Sequence, residues 1–295
     1  MNKINNRLLA IFACFLWSTA FVGIKIGYTY YSSPFNFAGL RFTLAGILLL
    51  PLIYKEKLFS ILKDNFKFIL FISLAQTGIG YAIFYSAMKY VDGAIAAIII
   101  GASPLITAIL SHFLLENDKM SKVKFLALIS GMFGIVLISL STKPFSINGL
   151  KSILGILLLL TNSTLGGIVN IKISKNKVAI NPIVLSSLQM IIGGIFLLIL
   201  GRIFEGKIYF NFPLPFYFSL LWLAFLSAAA ISIWFKLLKS KDIKVSELNM
   251  WKFLIPLSGA FLSWIILPNE SPNVLSIIGM LIILISLVSY NKVKK

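Results

Sequence analysis

"GASPLITAILSHFLLEND" occupies residues 101–118, and "FLIPLSGAFLSWIILPNE" occupies residues 253–270. Shifted by 152 residues, Pro104 falls on Pro256, Leu105 on Leu257, Ala108 on Ala260 and Ser111 on Ser263. The closing Asn117-Asp118 falls on Asn269-Glu270. Each copy is an apolar helix-length run with a proline near its start and an acid after its end. Writing the phrase twice implies two related halves, and what surrounds each copy decides what kind of halves they are.

The chain has 295 residues, 59% of them hydrophobic and 12% charged, with a mean hydropathy of +0.95. That is too little charge to clothe a soluble domain of this length. Runs with few or no charges recur at 8–27, 35–54, 68–88, 93–115, 125–142, 152–171, 178–201, 214–235, 245–267 and 273–291. About 20 residues at a 1.5 Å rise match a hydrocarbon layer of ~30 Å. The runs lack the period-two alternation of barrel strands. The expectation is therefore an all-α membrane protein with ten transmembrane helices. Lys3 and Arg7 precede the first run, which is longer than a signal-peptide core and is followed by many more spans, so it reads as a retained helix.

Net charge is +18, but the basic residues sit in short clusters between apolar runs, which suits anionic headgroups and not nucleic acid. Nineteen Lys and Arg fall on the side of the bilayer that carries both termini and six on the other, while Arg41 and Lys252 lie within runs. In loops this short, the bias places both termini in the cytoplasm of a multi-pass cell-membrane protein.

The repeated phrase forms the fourth and ninth spans, so the repeat unit is five helices. "SPFNFAGLRFTLAGILLL" (33–50) and "NPIVLSSLQMIIGGIFLL" (181–198) agree at an offset of 148, with Pro34 on Pro182, Leu40 on Leu188 and Gly46 on Gly194. Gly131-Met132 falls on Gly279-Met280 at the same offset, and Ser18-Thr19 on Ser163-Thr164 at 145. The halves divide as 1–145 and 146–295. An odd helix number makes the second copy enter the bilayer from the opposite face. Such inverted repeats can exchange roles and open a central site to each side in turn, which a transporter needs and an enzyme does not.

"FLWSTAFVGIKIG" (15–27), "GLRFTLAGILLLP" (39–51) and "ASPLITAILSHFLLEND" (102–118) followed by "ISGMFGIVLIS" (129–139) resemble, in that order, the EamA-type branch of the drug/metabolite transporter superfamily. The resemblance spans nearly the whole chain. It implies two inverted five-helix repeats, a central cavity lined by helices 1, 3, 4, 6, 8 and 9, and export of small metabolites.

Polar and aromatic residues near mid-depth are the candidates for binding cargo. Trp17 lies in the first span and Asn162 in the sixth; Thr77, Tyr81 and Tyr85 form an i, i+4, i+8 stripe on the third. Trp234 belongs to the eighth span, Asn249 and Lys252 to the ninth. Exposure of such groups to lipid is unfavourable, so they should face the bundle interior. The competing reading is interhelical packing, which Ser, Thr and Gly favour. Arg41 and Lys252 each lie about seven residues into a helix, and both can reach back to their own interface because side chains lean toward the helix N-terminus. Lys252 has Ile100 as its counterpart in the other half, and it could pair with a carboxylate on the cargo.

Pro104 and Pro256 each remove a helix hydrogen bond and are candidate gating kinks. His112, Glu116 and Glu247 stand near the cytoplasmic end as candidate gate groups, with a structural role as the alternative. One His and one Cys cannot build a His/Cys metal site, and no phosphate-cradling Walker motif or ordered Ser/His/acid triad is present. No cofactor or metal is expected. The reading is a secondary transporter, not an enzyme, that moves small organic metabolites such as amino acids or amines, as a monomer or homodimer in the lipid bilayer. The alternative is a non-transporting membrane protein, either a lipid-modifying enzyme or a partner subunit.

The topology is testable on a Cys14-free background. Single cysteines at Ser60 and Lys177 should resist a membrane-impermeant thiol reagent in intact cells, and cysteines at Ser146 and Asn211 should label. Ready labelling of the first pair would reverse the assigned orientation.

Overall fold

The computed structural model describes residues 3–91, 93–142, 149–176, 180–208, 210–266 and 272–292. The expected division at 145/146 and the second acid of the repeated phrase, Glu270, lie outside the described residues. Among the described residues every regular element is helical, and nine spans are long and apolar enough to cross a membrane. Five of the runs are single long helices after the first: α2 (Pro34–Leu48), α8 (Lys122–Thr142), α9 (Gly149–Lys175), α10 (Pro182–Phe204) and α11 (Leu214–Leu238). The first run is α1 (Lys3–Tyr30) and the last α14 (Val274–Lys292). A short helix, α3 (Leu58–Asp64), occupies what the charge pattern reads as loop.

The second run closes in a 3-10 turn, Leu50–Ile53, and the other three are interrupted in mid-course, two of them at a proline. In the third run, α4 (Phe66–Ile72) passes through a π-helical turn, Ser73–Gly78, into α5 (Ile79–Ala87). In the fourth, α6 (Gly93–Gly101) stops at Ala102 and α7 (Ser103–Leu114) begins with Pro104 in its first turn. In the ninth, α12 (Val245–Met250) tightens to a 3-10 turn, Trp251–Phe253, before α13 (Leu254–Ile266), whose third residue is Pro256. Proline has no N–H and its ring crowds the carbonyl four residues back, so a helix accepts it best in a first turn. The expected kinks are therefore helix breaks. The carbonyls that the prolines deprive of their usual donor four residues on belong to Ile100 and Lys252.

The most extensive packing is between α2 and α10 and between α8 and α14. Both pairs approach backbone to backbone. A Cβ on Gly279 would sit 2.6 Å from the carbonyl oxygen of Gly134, and a Cβ on Gly134 would meet Gly279's oxygen at the same distance. In the other pair, a Cβ on Gly194 would lie 2.6 Å from the amide nitrogen of Thr43. Glycine at these crossings lets helices without a hydrophobic driving force in lipid gain contact across their backbones.

Helix N-termini are satisfied by acids from distant segments. Glu205, at the end of α10, accepts from the N–H groups of Phe35 and Asn36 in the first turn of α2, each at 2.9 Å. Asp118, in the α7–α8 connection and only 3% exposed, accepts from the Ser246 amide at 2.8 Å and from the Ser246 hydroxyl, at the start of α12. Glu56 accepts at 3.0 Å from Asn181, which caps α10 through the Ile183 N–H. An anion at a helix N-terminus answers both the orphan N–H groups and the helix dipole.

Two substitutions probe these features by thermal denaturation of the purified protein in detergent. Gly279→Ala should lower stability by roughly 1–3 kcal/mol through overpacking. Gly166→Ala, where nothing lies within 4 Å of the added carbon, should not lower it and should add up to about 1 kcal/mol of helix propensity. Asp118→Ala should also cost about 1–3 kcal/mol by orphaning buried donors, whereas Asp242→Asn at an exposed turn should have no effect. Equal melting of each pair would remove the assigned roles.

Candidate functional site

The interior carries two aromatic clusters, each built around a cation. In the first, Trp17 of α1 meets Trp234 of α11 edge-on, with ring centroids 5.0 Å apart at 61°. Trp234 is 3% exposed, and the Lys252 ammonium lies 5.0 Å from its ring centroid. The 3-10 turn at Trp251–Phe253 places Lys252 here. A cation over an indole face gains roughly 0.5–2 kcal/mol, depending on desolvation. Among the described residues no carboxylate pairs with Lys252; their one ion pair is Arg7–Glu247 at 3.3 Å.

The second cluster contains Tyr81 and Tyr85 of α5, 6.0 Å apart by ring centroid. Tyr81 packs 4.5 Å from Phe42 of α2, and Tyr85 lies 6.5 Å from Tyr28 of α1. Arg41 departs from expectation. It does not reach back to its interface; it is 3% exposed, its Nε donates to Ser227 of α11 at 2.9 Å, and its guanidinium lies 4.9 Å from the Phe42 centroid. A hydroxyl on the neighbouring helix and an aromatic face hold it in the bundle. Its position in the apolar run was legible, but the direction of its side chain was not.

Asn162 and Gly166 mark open space on α9. Leu157 is 55% exposed on the outer face, and Gly166 follows nine residues later. Nine residues are two and a half turns, so Gly166 lies on the opposite face. It is nonetheless half-exposed, with nothing within 4 Å of an added Cβ. Asn162, one turn earlier, is half-buried and approaches Gly80 of α5. Gly166 went unremarked in the sequence because a glycine signals packing and open space equally well.

Two expected site residues are occupied elsewhere. The wide turn at Ser73–Gly78 breaks the helical stripe, so Thr77 faces α10 and donates to Gln189 at 2.6 Å. Asn249 is fully buried, accepts from Asn170 of α9 at 2.8 Å and donates to its own helix at the Val245 carbonyl. Asn170 was not singled out from the sequence, although it stands two turns beyond Asn162 on α9.

The gate candidates gather at the end of the bundle where α1 and α12 begin. Glu247 holds Arg7 of α1, and Tyr290 of α14 donates to Ser246 at 3.0 Å. With Asp118 on Ser246 and Asn170 on Asn249, two turns of α12 are fastened to four other segments. His112 accepts from the Met120 amide through Nδ1 at 3.0 Å, so it orders the α7–α8 connection, while Glu116 is exposed. The seven described acids lie in connections or within a turn of a helix end. Among the described residues no three His, Cys, Asp or Glu gather as a metal site would require.

A separate cleft of about 490 Å³ lies between α1, α11 and α13, bordered by Thr19, Gly23, Phe218, Trp222 and Leu262. Its lining is almost wholly apolar, and the Trp222 indole donates to Thr19 at 3.1 Å.

The model of the EamA-like transporter family matches the chain twice, at residues 7–140 and 144–291. Two Bacillus subtilis (strain 168) proteins, each named an uncharacterized transporter, are 28% identical to it. YoaV matches over 91% of this chain and 90% of its own length, and YvbV over 99% and 93%. An uncharacterized transporter of Archaeoglobus fulgidus is 27% identical over 96% of this chain and 95% of its own. One solved crystal structure superposes with a TM-score of 0.85 over 98% of this chain and 96% of its own at 16% identity, a likeness of fold. With the family model covering nearly every residue, the chain belongs to the EamA-like transporter family.

Proposed function

We propose that this transporter exports small carboxylate-bearing metabolites, amino acids and related compounds, across the cell membrane by alternating access. The observation that carries the cargo class is Lys252, an ammonium inside the bundle held by an indole face with no carboxylate partner among the described residues. Such a charge is costly in a low-dielectric interior unless an anion joins it. Trp17 and Trp234 offer apolar faces beside it, and Tyr81 and Asn162 supply polar groups from α5 and α9. A free amine would be repelled here, so within the broader metabolite class the reading favours acids and zwitterions.

Packing supports two inverted halves. Numbering the ten runs in order, the second packs on the seventh, the fourth on the ninth and the fifth on the tenth. The first packs on the eighth and ninth, and the sixth on the third and fourth, the same contacts displaced by five. That pattern is what a pseudo-two-fold axis requires, and the double match of the family model agrees with it. With the termini in the cytoplasm, the fastened start of α12 is an inner gate. With no acid at mid-depth among the described residues, a buried carboxylate is not the coupling element. Transport then follows the cargo's own gradient or couples through His112, Glu116 or Glu247.

The test is reconstitution into liposomes loaded with a mixture of amino acids and short organic acids, with efflux profiled with and without a pH gradient. Trp17→Ala, Tyr81→Ala and Asn162→Ala should abolish efflux while inserting normally, and changes at the lipid-facing Leu281 and Ile285 should do little. Normal efflux by all three variants would place the site elsewhere. Proton-driven accumulation that survives neutral replacement of His112, Glu116 and Glu247 would overturn the coupling account.

A further inference from the structure

The connection between the second and third runs sets aromatic and basic side chains side by side on an open face. Tyr54, just past the end of the second run, is 75% exposed; Phe59 of α3 is 82% exposed, and Phe66 at the start of α4 is 52% exposed. Lys55, Lys57, Lys63 and Lys67 interleave with these rings, and all four are exposed. No residue of α3 is fully buried. Leu58, Ile61 and Leu62 lean on the bundle core, while Phe59 and Lys63, four residues apart, share the face turned away from it.

The charge on this face is one-sided. The two acids of the connection are engaged locally: Glu56 accepts from Asn181 at 3.0 Å, and Asp64 from Ser60 at 3.1 Å. Neither neutralises a lysine, since the one ion pair among the described residues is Arg7–Glu247. Lys55 lies 5.4 Å from the Tyr54 ring centroid. Lys172 of α9 adds a cation beside α4, 4.2 Å from the centroid of Phe71. Lys57, Lys63 and Lys67 are thus exposed with no acid paired to them among the described residues.

Position and charge together select what covers this face. One membrane-crossing run ends at Ile53 and the next begins at Phe66, so α3 is tethered at both ends to the bilayer boundary. Aromatic rings at that level sit among headgroups, and each lysine near an anionic surface adds attraction. A second copy of this chain, related by a two-fold axis, would instead bring the same lysines against one another, which repels.

We propose that the face of α3 and its flanks docks on anionic phospholipid headgroups, with Phe59 inserted at the acyl boundary and Lys57, Lys63 and Lys67 on the phosphates. The proposal does not depend on the identity of the cargo. It bears on the transport path through the chain itself: α3 joins α2, which glycine locks to α10, to α4 and the π-helical turn beyond. Headgroups that hold α3 therefore hold the near end of the third run.

The test places the purified protein in nanodiscs of phosphatidylcholine and follows amide hydrogen exchange across residues 54–67. With about one third of the lipid replaced by phosphatidylglycerol, exchange should slow roughly fivefold or more, and added salt should reverse the effect. Replacing Lys57, Lys63 and Lys67 together by Gln should abolish the difference between the two lipids. Phe59→Ser should speed exchange in both. These side chains are exposed, so both variants should melt as the wild type does in detergent. Equal exchange in the two lipids, or a difference that survives the triple substitution, overturns the proposal. Slowing in phosphatidylcholine discs by soluble glycerol phosphate would make a free anion the occupant, and slowing only in discs that hold two copies would make it a second chain. Either result also overturns the proposal.

Discussion

A helix that begins inside or beside a bilayer exposes N–H groups that water cannot satisfy, and this chain meets that constraint with acids borrowed from distant segments. Glu205 closes the start of α2, Asp118 closes the start of α12, and Glu56 steadies the Asn181 cap of α10. Each of these acids follows one membrane-crossing run and serves the start of a helix far away in sequence. The acid at the end of the first repeated phrase is thereby explained. It is a staple between segments that the chain order keeps apart, and removing it leaves donors buried without acceptors.

Committing the acids to helix ends has an electrical consequence for the interior. Few acids are present, and those described are held at connections and caps, so the two cations within the spans have no side-chain counter-charge among the described residues. Aromatic faces compensate in part: Trp234 beneath Lys252 and Phe42 beneath Arg41. Cation–π attraction is worth about 0.5–2 kcal/mol, less than the several kcal/mol that an uncompensated buried charge costs. The deficit is what the proposed carboxylate cargo would supply, and on that proposal helix capping and the choice of cargo would share one electrostatic origin.

Much of this was legible in the residues. Apolar runs located the spans, since periodic burial over about 20 residues has few alternatives. The glycines that recur between the proposed halves, Gly46 with Gly194 and Gly131 with Gly279, stand at close crossings that tolerate little else. What escaped was direction. The π turn at Ser73–Gly78 carries no signature in its residues, yet it turns Thr77 onto Gln189 and leaves Tyr81 beside Phe42. Asn249 reads as a lone polar residue until Asn170, far away in the chain, is found to be its partner. Arg41 had a plausible route to the interface, and only Ser227 on another helix decides against it.

The interfaces also differ in kind, which bears on how an alternating-access cycle of the proposed sort would run. α2 with α10, and α8 with α14, meet through glycine backbones at distances where even a methyl group would collide. Packed surfaces of that kind are not continuously deformable, so sliding them would open voids on both sides. Other contacts are replaceable: the Arg7–Glu247 pair, the Asn170–Asn249 bond and the Trp17–Trp234 edge. Each can be exchanged for a bond to water or cargo at a cost of about 1 kcal/mol. Lys252 sits in the 3-10 turn at Trp251–Phe253, between α12 and α13. An anion bound at Lys252, as proposed, would act on the turn that joins these two helical pieces. In the proposed cycle the glycine-locked pairs would provide the frame against which that turn moves.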